Sequence, residues 1–315
     1  MNLLINTDAK RIPLADNSVN CVVTSPPYYG QRDYKVDGQI GLEITPQEYV
    51  ESMCLVADEI WRVLKDDGVF WLNIGDSWAS NHTPGTSDWK TGWKHGDLSK
   101  GYQARAGGAG NGIKPKDLIG IPWMIAFAFR DRGWYLRSEN IWAKKNCMPE
   151  SVKDRTTSSH EQVFMFTKQD RYWYDHEAVK TPTKGGEHDK RARVARKRFP
   201  TERVNGIRKT GYYPMANLRD VWHIATVPYH GNHYASFPPK LIEPCILAGC
   251  PEGGLVLDPF VGSGVTCMVA RKHRRNAIGL DLNFEYLTTN ARERLQYGSF
   301  VPVADGVTQL TIEGS

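Results

Sequence analysis

Residues 256–266 read VLDPFVGSGVT. An apolar strand delivers Asp258 to a turn holding Gly262 and Gly264, and a helical pattern starts at once, so a ligand can approach backbone where side chains would otherwise stand. That geometry suits an adenosine-type cofactor. A second strand ends in GLDLN and places Asp281 23 residues after Asp258, close to the ~20-residue spacing of an acid that grips ribose hydroxyls. The pair says more than either part, although a glycine turn of this kind also serves as a plain strand-to-helix connection. The G-x-G-x-x-G of a dinucleotide fold fails at Cys267, and no G-K-[ST] provides a phosphate cradle, which disfavours a nicotinamide cofactor and ATP.

A second constellation is VVTSPPYYG, residues 22–30, directly after a strand. Pro26 and Pro27 fix φ and remove two amide donors, which leaves carbonyls presented rigidly at the edge of a sheet. Ser25 and the Pro26 carbonyl then form an acceptor pair, and Tyr28 supplies a flat ring. Two acceptors and a ring suit a planar base with an exocyclic NH2. A rigid loop with a capping serine and a core tyrosine is the plainer alternative.

These loops need strands to carry them. Apolar runs at Leu3 to Ile5, Cys21 to Thr24, Val69 to Asn73, Tyr135 to Trp142, Gln162 to Thr167, Gly254 to Asp258 and Ala277 to Asp281 read as strands of a central, mainly parallel sheet. Thr45 with Glu48 and an intervening Pro46 forms a capping box. The helix it opens puts Tyr49, Met53, Val56, Ala57, Ile60 and Leu64 on one face. Ile121 to Arg130, Gly264 to His273 and Phe284 to Leu295 are further helix patterns. The alternation gives an α/β fold.

The chain has 315 residues, enough for a full core and a second functional lobe, and no repeat of 20 to 50 residues that would make a solenoid. Six cysteines without a C-x-x-C pair read as reduced thiols, and no structural zinc or other metal is expected. Neither a signal peptide nor an apolar run long enough to span a membrane is visible, so a cytoplasmic protein is expected. The net charge of +5 is uninformative until it is located. Lys184 to Lys209 holds ten basic and three acidic residues, a local +7, which leaves the remainder at about −2. From Asp76 to Gly120 runs a stretch with Trp78, Trp89 and Trp93 and five glycines between Gly101 and Gly112, too long for an ordinary connection. Its tryptophans read as packing anchors.

Taken together, TSPPY and DPFVGSG resemble the S-adenosylmethionine-dependent amino-methyltransferases of DNA. TSPPY is similar to their (D/N/S)-P-P-(Y/F) motif and DPFVGSG to their cofactor loop. The first precedes the second by 233 residues, the permuted order of the beta group. WYLRSENIWAKKN, HEQVFMFTK and HYASFPPKLIEPCILAGC resemble further motifs in the same order. The resemblance implies a Rossmann-like methyltransferase fold with a mainly parallel seven-stranded sheet and a small recognition region. Residues 1–175 would form the catalytic part, with 76–120 as an insert or lid, 176–222 the target-recognition region, and 223–315 the cofactor part. Asp258, Pro259, Phe260, Gly262, Ser263, Gly264 and Thr266 would line S-adenosylmethionine, with Asp281 on its ribose. Asp8 would lie near the adenine, and Phe237 and Pro238 near the methionine end; Asp8 and Phe237 read equally well as a turn residue and a core residue.

On this resemblance Ser25, Pro26, Pro27 and Tyr28 meet a base flipped out of double-stranded DNA. Serine at the first motif position is associated with cytosine N4 and aspartate with adenine N6; cytosine N4 is favoured and adenine N6 stays open. C5-cytosine chemistry is disfavoured, because the only P-C dipeptide, Pro244 with Cys245, falls in an apolar helical stretch. The basic segment lies in the slot for target readout. Arg191, Arg193, Arg196, Lys197, Arg198, Arg203, Arg208 and Lys209 would contact phosphates or guanine edges. A DNA-binding protein without turnover and a protein or RNA methyltransferase are the competing classes, and a companion restriction endonuclease is a possible partner.

Overall fold

The computed structural model describes residues 2–79, 113–183, 215–227, 237–291, 295 and 299–301. Trp89, Trp93, the glycines from 101 to 112, the basic run 184–209 with all eight proposed DNA contacts, His230 and His233 lie outside the described residues. The chain divides into two compact units, Met1–Tyr174 with Asp220–Ser315, and Asp175–Arg219. The smaller unit contains the antiparallel pair β6 (Thr181–Pro182) and β7 (Met215–Ala216).

The larger unit is built on a sheet that, among the described residues, has nine strands in the order β11-β1-β10-β9-β2-β3-β5-β4-β8. They are β1 (Asn2–Asn6), β2 (Val19–Thr24), β3 (Leu64–Ile74), β4 (Tyr135–Lys144), β5 (His160–Thr167), β8 (Val221–Ile224), β9 (Leu255–Asp258), β10 (Asn276–Asp281) and β11 (Ser299–Val301). All seven expected strands are present. The expected count of seven is corrected to nine by two short edge strands, β8 and β11. Only β5 runs against the others, pairing antiparallel with both β3 and β4.

Helices cover both faces. Strand residues point alternately to the two sides, and one set, including Val22, Phe70, Leu72, Phe164, Phe166, Leu257 and Ile278, forms a core with α1 (Pro46–Val63) and α2 (Ile121–Asp131). On the other side α3 (Pro239–Gly249) packs on β2 and β3, and α4 (Val265–Lys272) packs on β9, β10 and α3. Gly249 comes so close to the sheet that a Cβ there would stand 2.9 Å from Cys21 Sγ. The capping box of α1 forms as expected, with Thr45 Oγ1 accepting from Glu48 N and Glu48 Oε2 accepting from Thr45 N, both at 3.1 Å. Leu64 is buried as predicted, but as the first residue of β3. The pattern at Phe284 to Leu295 becomes a π-helical segment over Tyr286–Ala291, with Phe284 exposed and Leu287, Ala291 and Leu295 buried.

Phe70 sits at the centre of an aromatic cluster, 5.6 Å from the Trp134 ring, 5.7 Å from Phe166 and 6.2 Å from Phe129. Phe70→Ala is expected to lower the unfolding free energy by about 3–5 kcal/mol, because its packed neighbours cannot collapse into the space. Urea denaturation checks this, and a loss below about 1 kcal/mol would show that the cluster repacks.

Candidate active site

The order of the strands creates the site. From β2 the chain passes through α1 to β3, and from β9 through α4 to β10, so connections leave the β9–β2 junction in opposite directions. Ligands bind α/β sheets outside the carboxyl ends of strands at such a switch point. A cavity of about 490 Å³ lies there, within the usual size for small-molecule sites. Its wall includes Asp8 after β1, Ser25 to Tyr28 after β2, Pro259 to Ser263 after β9, Asp281 at the end of β10, and Phe237 before α3. Asn73 near the end of β3, Lys144 at the end of β4 and Glu161 near the start of antiparallel β5 reach it from the other side.

On the β9–β10 side the backbone is organised by two carboxylates. Asp281 accepts Gly262 N at 3.0 Å on Oδ2 and Asn283 N at 2.8 Å on Oδ1, which ties the glycine turn to the end of β10. Burial pushes the Asp281 carboxyl up to about 6, with neighbouring Asp258 adding to the effect. Asp258 is buried and accepts from Thr24 Oγ1 at 2.6 Å, Thr266 Oγ1 at 2.5 Å and Phe260 N at 3.0 Å. Desolvation raises it to about 6 despite those three donors. Gly264, at φ 78, takes a left-handed conformation with a Cβ position 3.2 Å from the Ala291 backbone, so a side chain there meets both strain and a neighbour.

The expectation that every motif residue lines the cofactor is corrected here. Asp258, Gly264, Thr266 and Pro238 do not contribute to the cavity wall. Asp258 and Thr266 join β9 to the start of α4 and to β2 behind the loop, and Pro238 is the buried residue that caps α3 and accepts from Leu241 N. Asp8, Phe237, Pro259, Phe260, Gly262, Ser263 and Asp281 do face the cavity.

On the β2 side the SPPY turn is fastened from below. Tyr49, buried on α1, donates to the Pro27 carbonyl at 2.8 Å, and Ser77 Oγ donates to the Tyr29 carbonyl at 3.0 Å. With Pro26 and Pro27 lacking amide donors, the turn is held through its carbonyls and rings. Ser25 Oγ lies 3.3 Å from Tyr28 Oη, which donates to Glu161 Oε2 at 2.7 Å. Glu161 also accepts from Asn73 Nδ2 at 3.1 Å and pairs with Lys144 Nζ at 2.5 Å. Burial, followed by the charge of Glu161, holds the Tyr28 phenol well above its ordinary range, so it stays protonated. Gly75 leaves room for this arrangement, since a Cβ there would stand 2.8 Å from the Tyr28 ring.

Sequence reasoning missed Asn73, Trp142, Lys144 and Glu161, and the Gln31–Gln39 loop segment that also lines the cavity. The available signal was a charged residue at the end or start of an otherwise apolar strand, Lys144 after NIWA and Glu161 before QVFMF. Of the insert, only the stems are described: Trp78 and Leu118 form an antiparallel bridge, and Asp76 accepts the amides of Gly120 and Ile121, which caps α2. Arg155 stacks 3.6 Å above the Trp78 ring. Cys245 is buried within α3, away from the cavity wall, and burial pushes its thiol up, which removes it as a thiolate nucleophile.

Residues 19–292 match the DNA methylase family of N6 and N4 enzymes. The Type II methyltransferase M.XycI of Xanthomonas campestris pv. cyanopsidis is 44% identical over 92% of this chain and 85% of its own. The chain belongs to the DNA methylase family. Among solved structures, the cytosine-N4-specific PvuII DNA methyltransferase matches with a TM-score of 0.60 at 19% identity, over 92% of this chain and 86% of its own. A DNA modification methylase of Thermus thermophilus, complexed with S-adenosyl-L-methionine, matches at 0.58 and 20% identity, over 96% and 99%. At these identities the likeness is one of fold: a Rossmann-like methyltransferase sheet in the permuted beta-group order. As a DNA methylase the chain acts on an exocyclic amine, cytosine N4 or adenine N6, which decides for DNA over the RNA and protein alternatives. Among the described residues no helix is long and apolar enough to cross a membrane.

Proposed function

We propose that this DNA methylase methylates cytosine N4 within a specific duplex sequence, with S-adenosylmethionine as methyl donor. One observation carries the reading: the serine-led SPPY turn and the glycine turn with Asp281 open into the same cavity. The cavity walls suit the cofactor. The Asp281 carboxylate matches ribose hydroxyls, the glycine turn exposes backbone, Asp8 suits the adenine end, and Phe237 and Phe260 add apolar surface toward the methionine end. When bound, the cofactor supplies an electrophilic sulfonium methyl.

The residues of the chain then do the rest. An exocyclic amine conjugated to its ring is a poor nucleophile, and N–H donation to Ser25 and the Pro26 carbonyl favours localising its lone pair. Direct transfer needs this positioning more than a strong base. Tyr28 offers its ring to the flipped base, offsetting lost stacking. Serine at the first motif position is what favours cytosine. Digesting DNA methylated by the purified protein and separating its nucleosides decides the target: N4-methylcytosine is expected, and N6-methyladenine alone would replace the cytosine reading.

Residues 176–222, with the basic run inside them, would read the DNA, and a companion restriction endonuclease in the cytoplasm would cut the same site. If the run tracks phosphates, log affinity falls with log salt by about 0.9 per phosphate neutralised. Arg193→Ala is then expected to weaken binding on all sequences and flatten the slope by about one unit, measured by fluorescence anisotropy. A variant that binds like wild type at every salt concentration would return Arg193 to the solvated surface.

A further inference from the structure

We propose that Glu161, held by Lys144, is a positioning residue that sets the direction of the hydrogen-bond chain ending at Ser25, and thereby makes the site accept an amine and reject a carbonyl. Glu161 and Lys144 are largely shielded, with side chains 12% and 22% exposed, yet both reach the cavity. No role assigned above to the turn or the glycine loop uses them. The inference rests on the reading that Ser25 meets the target amine.

The argument is one of donors and acceptors. A carboxylate only accepts and an ammonium only donates. With Lys144 on Oε1, the other oxygen, Oε2, faces Tyr28, so the phenol must give its single proton to Glu161. Tyr28 Oη is left with lone pairs toward Ser25, 3.3 Å away, and Ser25 must donate to it. The serine hydrogen is thus committed inward, and the oxygen presents lone pairs to the cavity. An NH2 on the target base can donate to it. A carbonyl at the same place, as in the deaminated base, meets lone pair with lone pair. Polarisation along the chain makes Ser25 a better acceptor still. The raised Tyr28 phenol agrees, because it keeps the donor protonated across the working pH range.

Glu161→Gln tests this with almost no change of shape. Lys144 has donors only, so it keeps the amide oxygen on its own side and turns the new NH2 toward Tyr28. Tyr28 then accepts, donates to Ser25, and Ser25 points a hydrogen at the target amine. The expected result is a kcat lower by roughly tenfold to a hundredfold, with affinity for S-adenosylmethionine by calorimetry within about twofold. Tyr28→Phe should lose a similar factor, and the double variant should lose no more than the worse single, because Glu161 acts through the phenol. Binding gives a second readout without turnover: duplexes carrying the target base or its deaminated counterpart are compared in wild type and Glu161→Gln. The ease of flipping a mismatched base cancels in that comparison. The wild-type preference for the amine should shrink by about tenfold in the variant.

Unchanged kcat in Glu161→Gln, multiplicative losses in the double variant, or an unchanged amine preference would each overturn the proposal. If Glu161→Gln does not fold by circular dichroism, Tyr28→Phe decides alone, since its wild-type activity would also remove the chain. Ser25→Ala separates the two claims: full activity there sinks the amine reading itself, whereas an inactive Ser25→Ala beside an active Glu161→Gln sinks only the role of Glu161.

Discussion

Ser25→Ala is expected to slow methyl transfer by roughly 10²–10³-fold, the cost of removing one preorganised hydrogen-bonding group from a water-excluded site. Affinity for S-adenosylmethionine should hold within about twofold, because Ser25 follows β2, whereas the glycine turn and Asp281 follow β9 and β10. The change deletes one oxygen and leaves the turn's supports, the Tyr49 bond to the Pro27 carbonyl and the Tyr28 bond to Glu161, in place. Loss of rate therefore reads as loss of chemistry and not of folding. Single-turnover transfer of a labelled methyl group measures it, with calorimetry for the cofactor on the same preparation. A variant that transfers at the wild-type rate would remove Ser25 from the reaction. One that loses cofactor affinity and rate together would move it to the cofactor's part of the cavity.

What was legible in the sequence follows a physical rule. The seven internal strands announced themselves because strands buried on both faces are continuous apolar runs. The edge strands did not. In β8, Val221 and His223 are exposed and only Trp222 is buried, and β11 spans three residues, so neither offers a periodicity to read. The two motif loops were legible because each is contiguous in the chain, and glycine or proline marks the backbone each needs. Tyr28, Glu161, Lys144 and Asn73 form one network from four separate segments, which only the reversed pairing of β5 between β3 and β4 brings to one edge. Asp258 shows the opposite error. Its place in the motif says that a carboxylate is needed, not which way it faces, and Thr24, Thr266 and the Phe260 amide turn it inward.

Asp281 differs from Asp258 in facing the cavity, and the pH dependence of cofactor binding follows from that. Its carboxyl lies at about 6, raised by burial from an ordinary 3.8, so it is charged at pH 7 and mostly protonated at pH 5. A carboxylate accepts a ribose hydroxyl far better than a carboxylic acid does. Affinity for S-adenosylmethionine should therefore be level above about pH 7 and fall by roughly tenfold for each unit below 6. Stability carries the opposite sign. Because the folded value lies above the unfolded one, the folded chain holds a proton between about pH 4 and 6 that the unfolded chain releases, so this group's contribution falls as pH rises through that window. Affinity and stability thus move in opposite directions over the same pH range, which distinguishes binding by Asp281 from acid unfolding. Asp258 also lies at about 6 and titrates alongside, so the variant must be made at Asp281 itself. Asp281→Asn should cost about 1.5–3 kcal/mol of binding, roughly tenfold to a hundredfold in Kd, and flatten the profile. Asp281→Ala should cost more, since it also frees the Gly262 and Asn283 amides that the carboxylate holds. Calorimetric titrations from pH 5 to 8 measure both, and an Asp281→Asn protein that keeps the wild-type slope would transfer the ribose contact to another residue of the cavity.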